Sequence, residues 1–545
     1  MVRSYFRTCA AGAVALGLAA APAVVSAGPA EAPATAVTAP AAAPAVTAET
    51  AASLAATLDA GLRQWFPPTG SSATYRWDGR TGVTPAGDHY DADLPSLEIT
   101  SDDGSRAVVG VIKLALIPNG DGSWGVGLSV PPQITLLGAD GKPEGDVTIG
   151  SQRFFGRWLP SLNTFVKADG SYGDVRAASK KDGNRFEIGS LVLRTDLTEQ
   201  PAGRWSGPST LVLNKLVAVD EHGVQVARLG SAAIEASMSG MDLGNALVLG
   251  TQPAPPAAAG QPPAKEDAQA AVRRHLTMLH GLLGAASAKL RITDLTMTAP
   301  GDGSSFTIGQ ITLRGGIDGL DNGKSTLSLG YDHAGLKIEP NPGPREFTPE
   351  KVEFAVSATD LPNVGLWAAL EKLLQPAPGQ TDDQAGQQFL VDAQTALTQG
   401  GSKLRVDSLQ IDTPATAATI KGEARFNNQS VFGIVANLDM VMRGLDAAMK
   451  QLQPAPGAKV DEDTQSTLAL LSMVQVMGAP GKDASGRDIR TYKLELGADG
   501  KITLNGADMS ALLGGGAAAP NGGGKPAAED RKKGGGPAKV LKEDD

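Results

Sequence analysis

The chain has 545 residues, with 48 Lys and Arg against 58 Asp and Glu, a formal charge of −10 at pH 7. That length can bury at least one large core and leaves room for two to four domains or repeat units. An acidic chain with no basic block lacks the charge that neutralises phosphate, which excludes nucleic acid as a partner.

The N-terminus reads as a secretory signal peptide, residues 1–27. Arg3 and Arg7 make it positive, Ala10 to Val25 is apolar, and Val25-Ser26-Ala27 offers the small residues a signal peptidase needs. Cleavage after Ala27 removes two positive charges, so −10 becomes −12. The alternative is an uncleaved segment anchored in the inner membrane, since the apolar run approaches the shortest span. Pro22 and the small-residue exit favour cleavage and a periplasmic location. Cys9 precedes the apolar run and leaves with it, so disulfides, thiolate nucleophiles and cysteine metal sites are excluded from the mature chain. No second apolar segment approaches a span, so membrane contact is peripheral at most.

Residues 28–46 are an Ala/Pro-rich linker. Thr47 to Trp65 is expected to be a helix burying Leu54, Leu58 and Leu62, at the head of a β-rich region spanning 47–250. A Pro-rich loop (251–264) follows, then a repeated α/β region (265–513). Residues 514–545 are Gly-rich with mixed charge and too little apolar content to fold. Their alternative role is a cell-wall contact through Lys532 and Lys533.

Between the ends, apolar positions step by three and then by two: Leu94, Leu97 and Ile99; Ile188, Leu191 and Leu193; Ile308, Ile311 and Leu313. Ile292, Leu295 and Met297 repeat the spacing, as do Val406, Leu409 and Ile411. A regular strand steps by two, so one extra residue is implied, and a β-bulge at Gly189 or Gly309 accounts for it. Such strands favour a curved antiparallel sheet. Six Asp-Gly pairs, at Asp103, Asp121, Asp140, Asp169, Asp182 and Asp499, are expected hairpin turns.

A longer period overlies this one. Gln-Pro-Ala-Pro occurs at Gln252, Gln375 and Gln453. Ser239 to Asn245 matches Ser357 to Asn363 upstream of the first two copies, and helices are predicted downstream at Lys265 to Ala285, Asp382 to Gln399 and Glu462 to Met477. The strand starting at Lys289 is repeated at Lys403, 403 − 289 = 114 positions on. The unit reads as strands, a helix, a Pro-rich loop, a second helix and strands again, an internal duplication. It places αα-hairpins near 245–285, 365–400 and 437–477.

Motifs for chemistry are sparse. His275 and His280 are five apart on a predicted helix, whereas a metal pair wants three or four. His222 and His333 fall at expected hairpin tips, and His89 sits in an acidic stretch with Asp88, Asp91 and Asp93. That stretch and Asp102-Asp103 lack a closing calcium-loop glutamate. Gly120 to Gly125 satisfies the dinucleotide-binding glycine pattern, yet a strand follows where a helix is required. Gly323-Lys324-Ser325 lacks the leading glycine of a phosphate loop, and no nucleophile elbow occurs. Trp65, Phe66, Tyr75 and Trp77 are the densest aromatic group and read as core.

Tyr492 to Gly506 and the Lys-Leu-Arg strand that follows a helix resemble the YdgA-like family of bacterial envelope proteins of unknown function. The resemblance covers about the C-terminal half and implies an envelope setting, with no catalytic residue to carry over. The fold class is α+β: a predominantly antiparallel, curved sheet of bulged strands with inserted αα-hairpins, internally repeated. The expected function is non-enzymatic: an exported binding or scaffold protein holding an apolar or lipid ligand on that sheet. One alternative is a structural module contacting another envelope protein; another is an envelope-polysaccharide hydrolase, requiring two carboxylates in one cleft. No cofactor, metal or catalytic residue is assigned, and the ligand-binding residues are unknown from sequence.

Overall fold

A computed structural model describes residues 45–66, 73–246, 281–301, 303–341, 345–377, 379–453 and 462–509. The expected signal peptide, most of the linker, the Pro-rich loop, the helix from Lys265 (up to residue 280), His275, His280 and the Gly-rich tail lie outside these residues.

Helix α1 (Ala48–Trp65) starts at Thr47, whose side chain accepts the Thr50 N–H and so caps the first turn. Its Leu54, Leu58 and Leu62 are buried. Short strands follow: β1 (Ala73–Asp78), β2 (Gly82–Ala86), β3 (His89–Asp93) and β4 (Ser96–Ser101). Next are β5 (Arg106–Gly110), β6 (Lys113–Pro118), β7 (Trp124–Ser129) and β8 (Gln133–Leu137). Long strands come next: β9 (Pro143–Leu159), β10 (Thr164–Ser179) and β11 (Arg185–Asp196), then the short β12 (Thr198–Gln200). They resume with β13 (Arg204–Val219), β14 (Gln225–Met241), β15 (Ala285–Thr298), β16 (Ser305–Asp318) and β17 (Lys324–Ala334). The short β18 (Lys337–Glu339) precedes β19 (Lys351–Pro362), then helices α2 (Asn363–Leu374) and α3 (Asp382–Gly400). Strands β20 (Lys403–Asp412), β21 (Ala417–Phe426) and β22 (Ile434–Arg443) lead to α4 (Leu445–Leu452) and α5 (Glu462–Met477). The described chain closes with β23 (Ala479–Lys482), β24 (Asp488–Leu496), β25 (Ile502–Leu504) and β26 (Ala507–Asp508).

All pairings are antiparallel and belong to one open sheet. Strand β9 organises the N-terminal part. Its first half pairs with β8 and its second half with β7. From β8 the pairing continues to β5, β4 and β1, and from β7 to β6, β3 and β2. These two arms and α1 share one core, which includes Leu58, Tyr90, Leu97, Leu116, Val147 and Tyr172. Phe66 closes it beside Tyr75 and Trp77, with ring centroids 5.5 and 6.0 Å apart.

From the other edge of β9 the sheet runs as a meander through β10, β11, β13 to β17, β19 to β22 and β24. At 4.7–4.9 Å per strand this meander is roughly 60 Å wide. A second small core, with Trp205, Met238 and Leu243, sits at one end of β13 and β14. Neither buried cluster contains a residue of β15 to β26.

Several sequence expectations are corrected. Asp169-Gly170 is not a turn but lies within β10, where a Cβ on Gly170 would stand 3.0 Å from the Phe154 ring and 3.1 Å from Leu193. The other five Asp-Gly pairs are turns with glycine at positive φ. His333 is inside β17, not at its tip, and is 8% exposed. The helix expected to reach Ala285 cannot do so: Gly281 has φ 76° and Ala285 opens β15. The pair placed near 437–477 starts later, because β22 continues to Arg443.

The three-then-two spacing has two origins. At Val406/Leu409 the register against β21 shifts, as a bulge requires. At Gly189 and Gly309 no shift occurs. There the irregular residue recurs in every strand at the same level. Asp174, Lys215 and Asp294 adopt φ of 51°, 57° and 52°, and the flanking registers set them opposite Gly150, Gly189, Gly230 and Gly309. The pleat is reset at this level in each strand, on β11 at Gly189 between Asp174 and Lys215, so Ile188 and Leu191 both reach the core although they are three apart. The glycines make room: a Cβ on Gly189 would stand 3.1 Å from the Lys215 Cβ and 3.3 Å from the Asn214 carbonyl oxygen. Gly189→Ala should therefore cost about 2 kcal/mol. Combining it with Lys215→Gly should recover at least ~1 kcal/mol in a double-mutant cycle by urea unfolding. Strictly additive effects would show that the two positions do not crowd each other.

Candidate apolar ligand site

Alternation gives the meander two unlike faces. On β16, Ile311, Leu313 and Ile317 point one way, and Thr312 and Arg314 the other. The polar face is laced with ion pairs: Lys289 to Glu235 at 3.2 Å, Arg314 to Asp332 at 3.0 Å and Lys493 to Glu495 at 2.7 Å. Partly exposed pairs of this kind contribute little to stability, and they set a charged face against an apolar one.

The apolar face is continuous from strand to strand. One row of register partners runs Leu329, Val356, Val406, Gly422, Leu438 and Leu494. The next runs Leu327, Ala358, Leu404, Ala424, Ala436 and Leu496, with Ile502 beyond. The first row dips at Gly422 on β21 and the second at Ala424 and Ala436 on β21 and β22, where small residues replace larger side chains. Gly422 lets the backbones approach, since a Cβ there would stand 2.7 Å from the Asn437 carbonyl oxygen. Leucines on β17 and β20 form one wall of the resulting groove, and those on β22 and β24 the other. It encloses about 650 Å³, within the range of small-molecule sites.

Leu329 is 57% exposed, Leu327 49% and Leu404 47%. Monomers rarely leave large contiguous apolar patches in water, and those that persist mark binding surfaces. The groove's polar neighbours are neutralised on the opposite face. Arg405 pairs with Asp407 at 3.4 Å, and Arg425 donates to Glu423. Tyr331 and His333 share the apolar face of β17, and the Tyr331 hydroxyl lies 2.8 Å from His333 Nδ1.

Among the described residues, the polar side chains singled out by sequence come together only at His89, Asp88 and Asp91. His89 Nδ1 lies 2.9 Å from Asp88 and its Nε2 3.4 Å from Asp91; the hydrogen bond it donates to Asp88 chiefly raises its pKa. Asp93 ends β3. Asp103, in the β4–β5 turn beside Asp102, accepts the Ser105 N–H at 3.0 Å. His222 is exposed in the β13–β14 turn. Gly120 to Ser123 lie in the turn between β6 and β7, Trp124 and Gly125 open β7, and Gly323-Lys324-Ser325 forms the entry to β17. No three His, Cys, Asp or Glu side chains gather into a metal-binding group among the described residues. Hydrogen bonds, chiefly from Ser123 to Asp121 and from Lys180 to Asp146, hold these two carboxyls below the usual carboxylate range, the opposite of what a general acid needs. Among the described residues no helix is long and apolar enough to cross a membrane.

The groove residues carried no motif. Their signal in the sequence was the alternation Leu327-Leu329-Tyr331 on β17, answered by Leu404-Val406 and Leu494-Leu496. Comparison with protein-family models, with curated proteins and with solved structures finds no match to this chain.

Proposed function

We propose that this chain is an exported, non-enzymatic envelope protein that holds the acyl chain of a lipid against a curved sheet. The observation that carries the reading is the uncovered apolar groove on β17 to β24, with its alanine and glycine floor between leucine walls. An unbranched hydrocarbon suits it, because the lining offers dispersion contacts and almost no hydrogen-bonding groups. The export signal, the resemblance to a YdgA-like envelope family and the repeated strand–helix–helix–strand units support the same setting. The element orders β19–α2–α3–β20 and β22–α4–α5–β23 are the two stretches that this duplication would relate.

Each buried methylene contributes about 0.8 kcal/mol. Roughly ten buried methylenes therefore give about 8 kcal/mol before association costs, so a micromolar dissociation constant is the tightest that the groove's apolar contacts predict. Titration with a fluorescent long-chain fatty acid should saturate near one ligand per chain and weaken as the chain is shortened. Absence of saturable binding would remove the proposal.

A second reading, a protein-interaction module, is favoured by α5, where Leu470, Met473 and Val476 are exposed. It predicts a stable complex with an envelope protein that is lost on Met473→Asp while fatty-acid binding is kept.

A further inference from the structure

Beyond the groove's last floor residues on β21 and β22, Ala424 and Ala436, the two strands continue through the register pair Phe426–Ile434 to their connecting turn, residues 427–433. That turn is firmly built. Asn427 N–H donates to the Gly433 carbonyl at 2.9 Å, Ser430 Oγ to the Ile434 carbonyl at 2.5 Å, and Val431 N–H to the Ala498 carbonyl at 3.1 Å. It nonetheless presents Val431 and Phe432 to solvent, 70% and 60% exposed. Both pack over Gly500, where a Cβ would stand 3.2 Å from the Val431 Cβ and 3.3 Å from the Phe432 ring. Gly500 belongs to the turn joining Leu496 and Ile502, two residues that line the groove. Helix α3 comes to the same place, with Gln394 against Gly433 and the exposed Leu390 one turn before it.

We infer that this tip docks on the surface of a lipid bilayer and places the open end of the groove at the membrane. The inference rests on the acyl-chain reading of the groove. Three features favour a lipid surface as the occupant. The apolar side chains of the tip pack on the turn that joins Leu496 and Ile502, two residues of the groove. Residues 427–433 carry no charge, so inserting this turn buries no ion of its own, and the charges flanking Gly500, Asp499 and Lys501, pair with each other at 3.8 Å. Asn427, Asn428, Gln429 and Ser430 stand beside the two apolar side chains and offer hydrogen bonds at headgroup level. With no basic cluster on the tip, binding is driven by apolar insertion rather than by attraction to anionic lipid.

The test is vesicle flotation of a chain beginning at Gly28, which keeps every described residue and lacks the apolar N-terminal segment. Vesicles of phosphatidylcholine, with and without phosphatidylglycerol, should both carry the protein, with little loss at high salt. Val431→Asp with Phe432→Asp should lower vesicle partition at least tenfold and leave fatty-acid binding in solution unchanged, which also reports an intact fold. Phe432→Leu should retain partition. Unchanged flotation of the double variant, or binding only to anionic vesicles at low salt, would overturn the docking. Flotation failing while fatty acid still binds would overturn the docking alone. Failure of fatty-acid binding in the unaltered chain would instead remove the groove reading beneath it.

Discussion

Ala436→Phe is expected to weaken fatty-acid binding about 30-fold, roughly 2 kcal/mol, with little change in unfolding midpoint. Ala436 lies in the groove floor between its register partners Ala424 and Leu496. It is only half-buried, so a larger side chain grows into the space that the ligand needs and not into packed neighbours. Lys421→Phe is the control. Lys421 is exposed on the same hairpin, one residue from Gly422 and hence on the opposite face. It should leave affinity unchanged. Equal loss in both variants would mean that the added ring perturbs the sheet, and no loss in either would place the ligand elsewhere.

The largest stability effect is expected at alkaline pH. Tyr172 is 1% exposed in the N-terminal core, and its hydroxyl has no hydrogen-bond partner among the described residues. Burial pushes its pKa from 10 up to about 12. The folded state therefore holds this proton where the unfolded state releases it. The associated stability is fully present below pH 10 and is lost between pH 10 and about 12, amounting to about 3 kcal/mol. Tyr172→Phe should abolish that component of the alkaline transition. It should also raise stability at neutral pH by ~1 kcal/mol, because a buried donor without a partner is removed. A variant with the same alkaline transition and lower neutral stability would show that the hydroxyl is satisfied.

Local chemistry was legible wherever local chemistry decides the outcome. The leucine spacing of α1, the acidic start of α3 at Asp382 and Asp383, and turns such as Asp121-Gly122 could all be read along the chain. Legibility failed where a distant strand decides. Asp169-Gly170 has the composition of a turn, but its glycine serves the crowding by Phe154 and Leu193 from neighbouring strands. The residues around His333 look like a loop, yet the turn falls at Gly335 and the histidine is held inside β17 by the register with β16 and β19. The step of three was visible at Ile188 and Ile308. Only the pairing reveals that β10, β11, β13, β14, β15 and β16 carry the irregularity together, so that no register is lost. The groove is the clearest case. Alternating leucines announce an apolar face, but whether another layer covers that face depends on packing that no local pattern encodes.

The central claim is that the apolar face of β17 to β24 is occupied by a lipid. Native mass spectrometry of the protein from an envelope extract, with organic extraction of what it carries, tests this most directly. A stoichiometric lipid, absent from the Ala436→Phe variant, is the predicted result. An empty chain that gains no lipid on incubation with membranes would contradict the account.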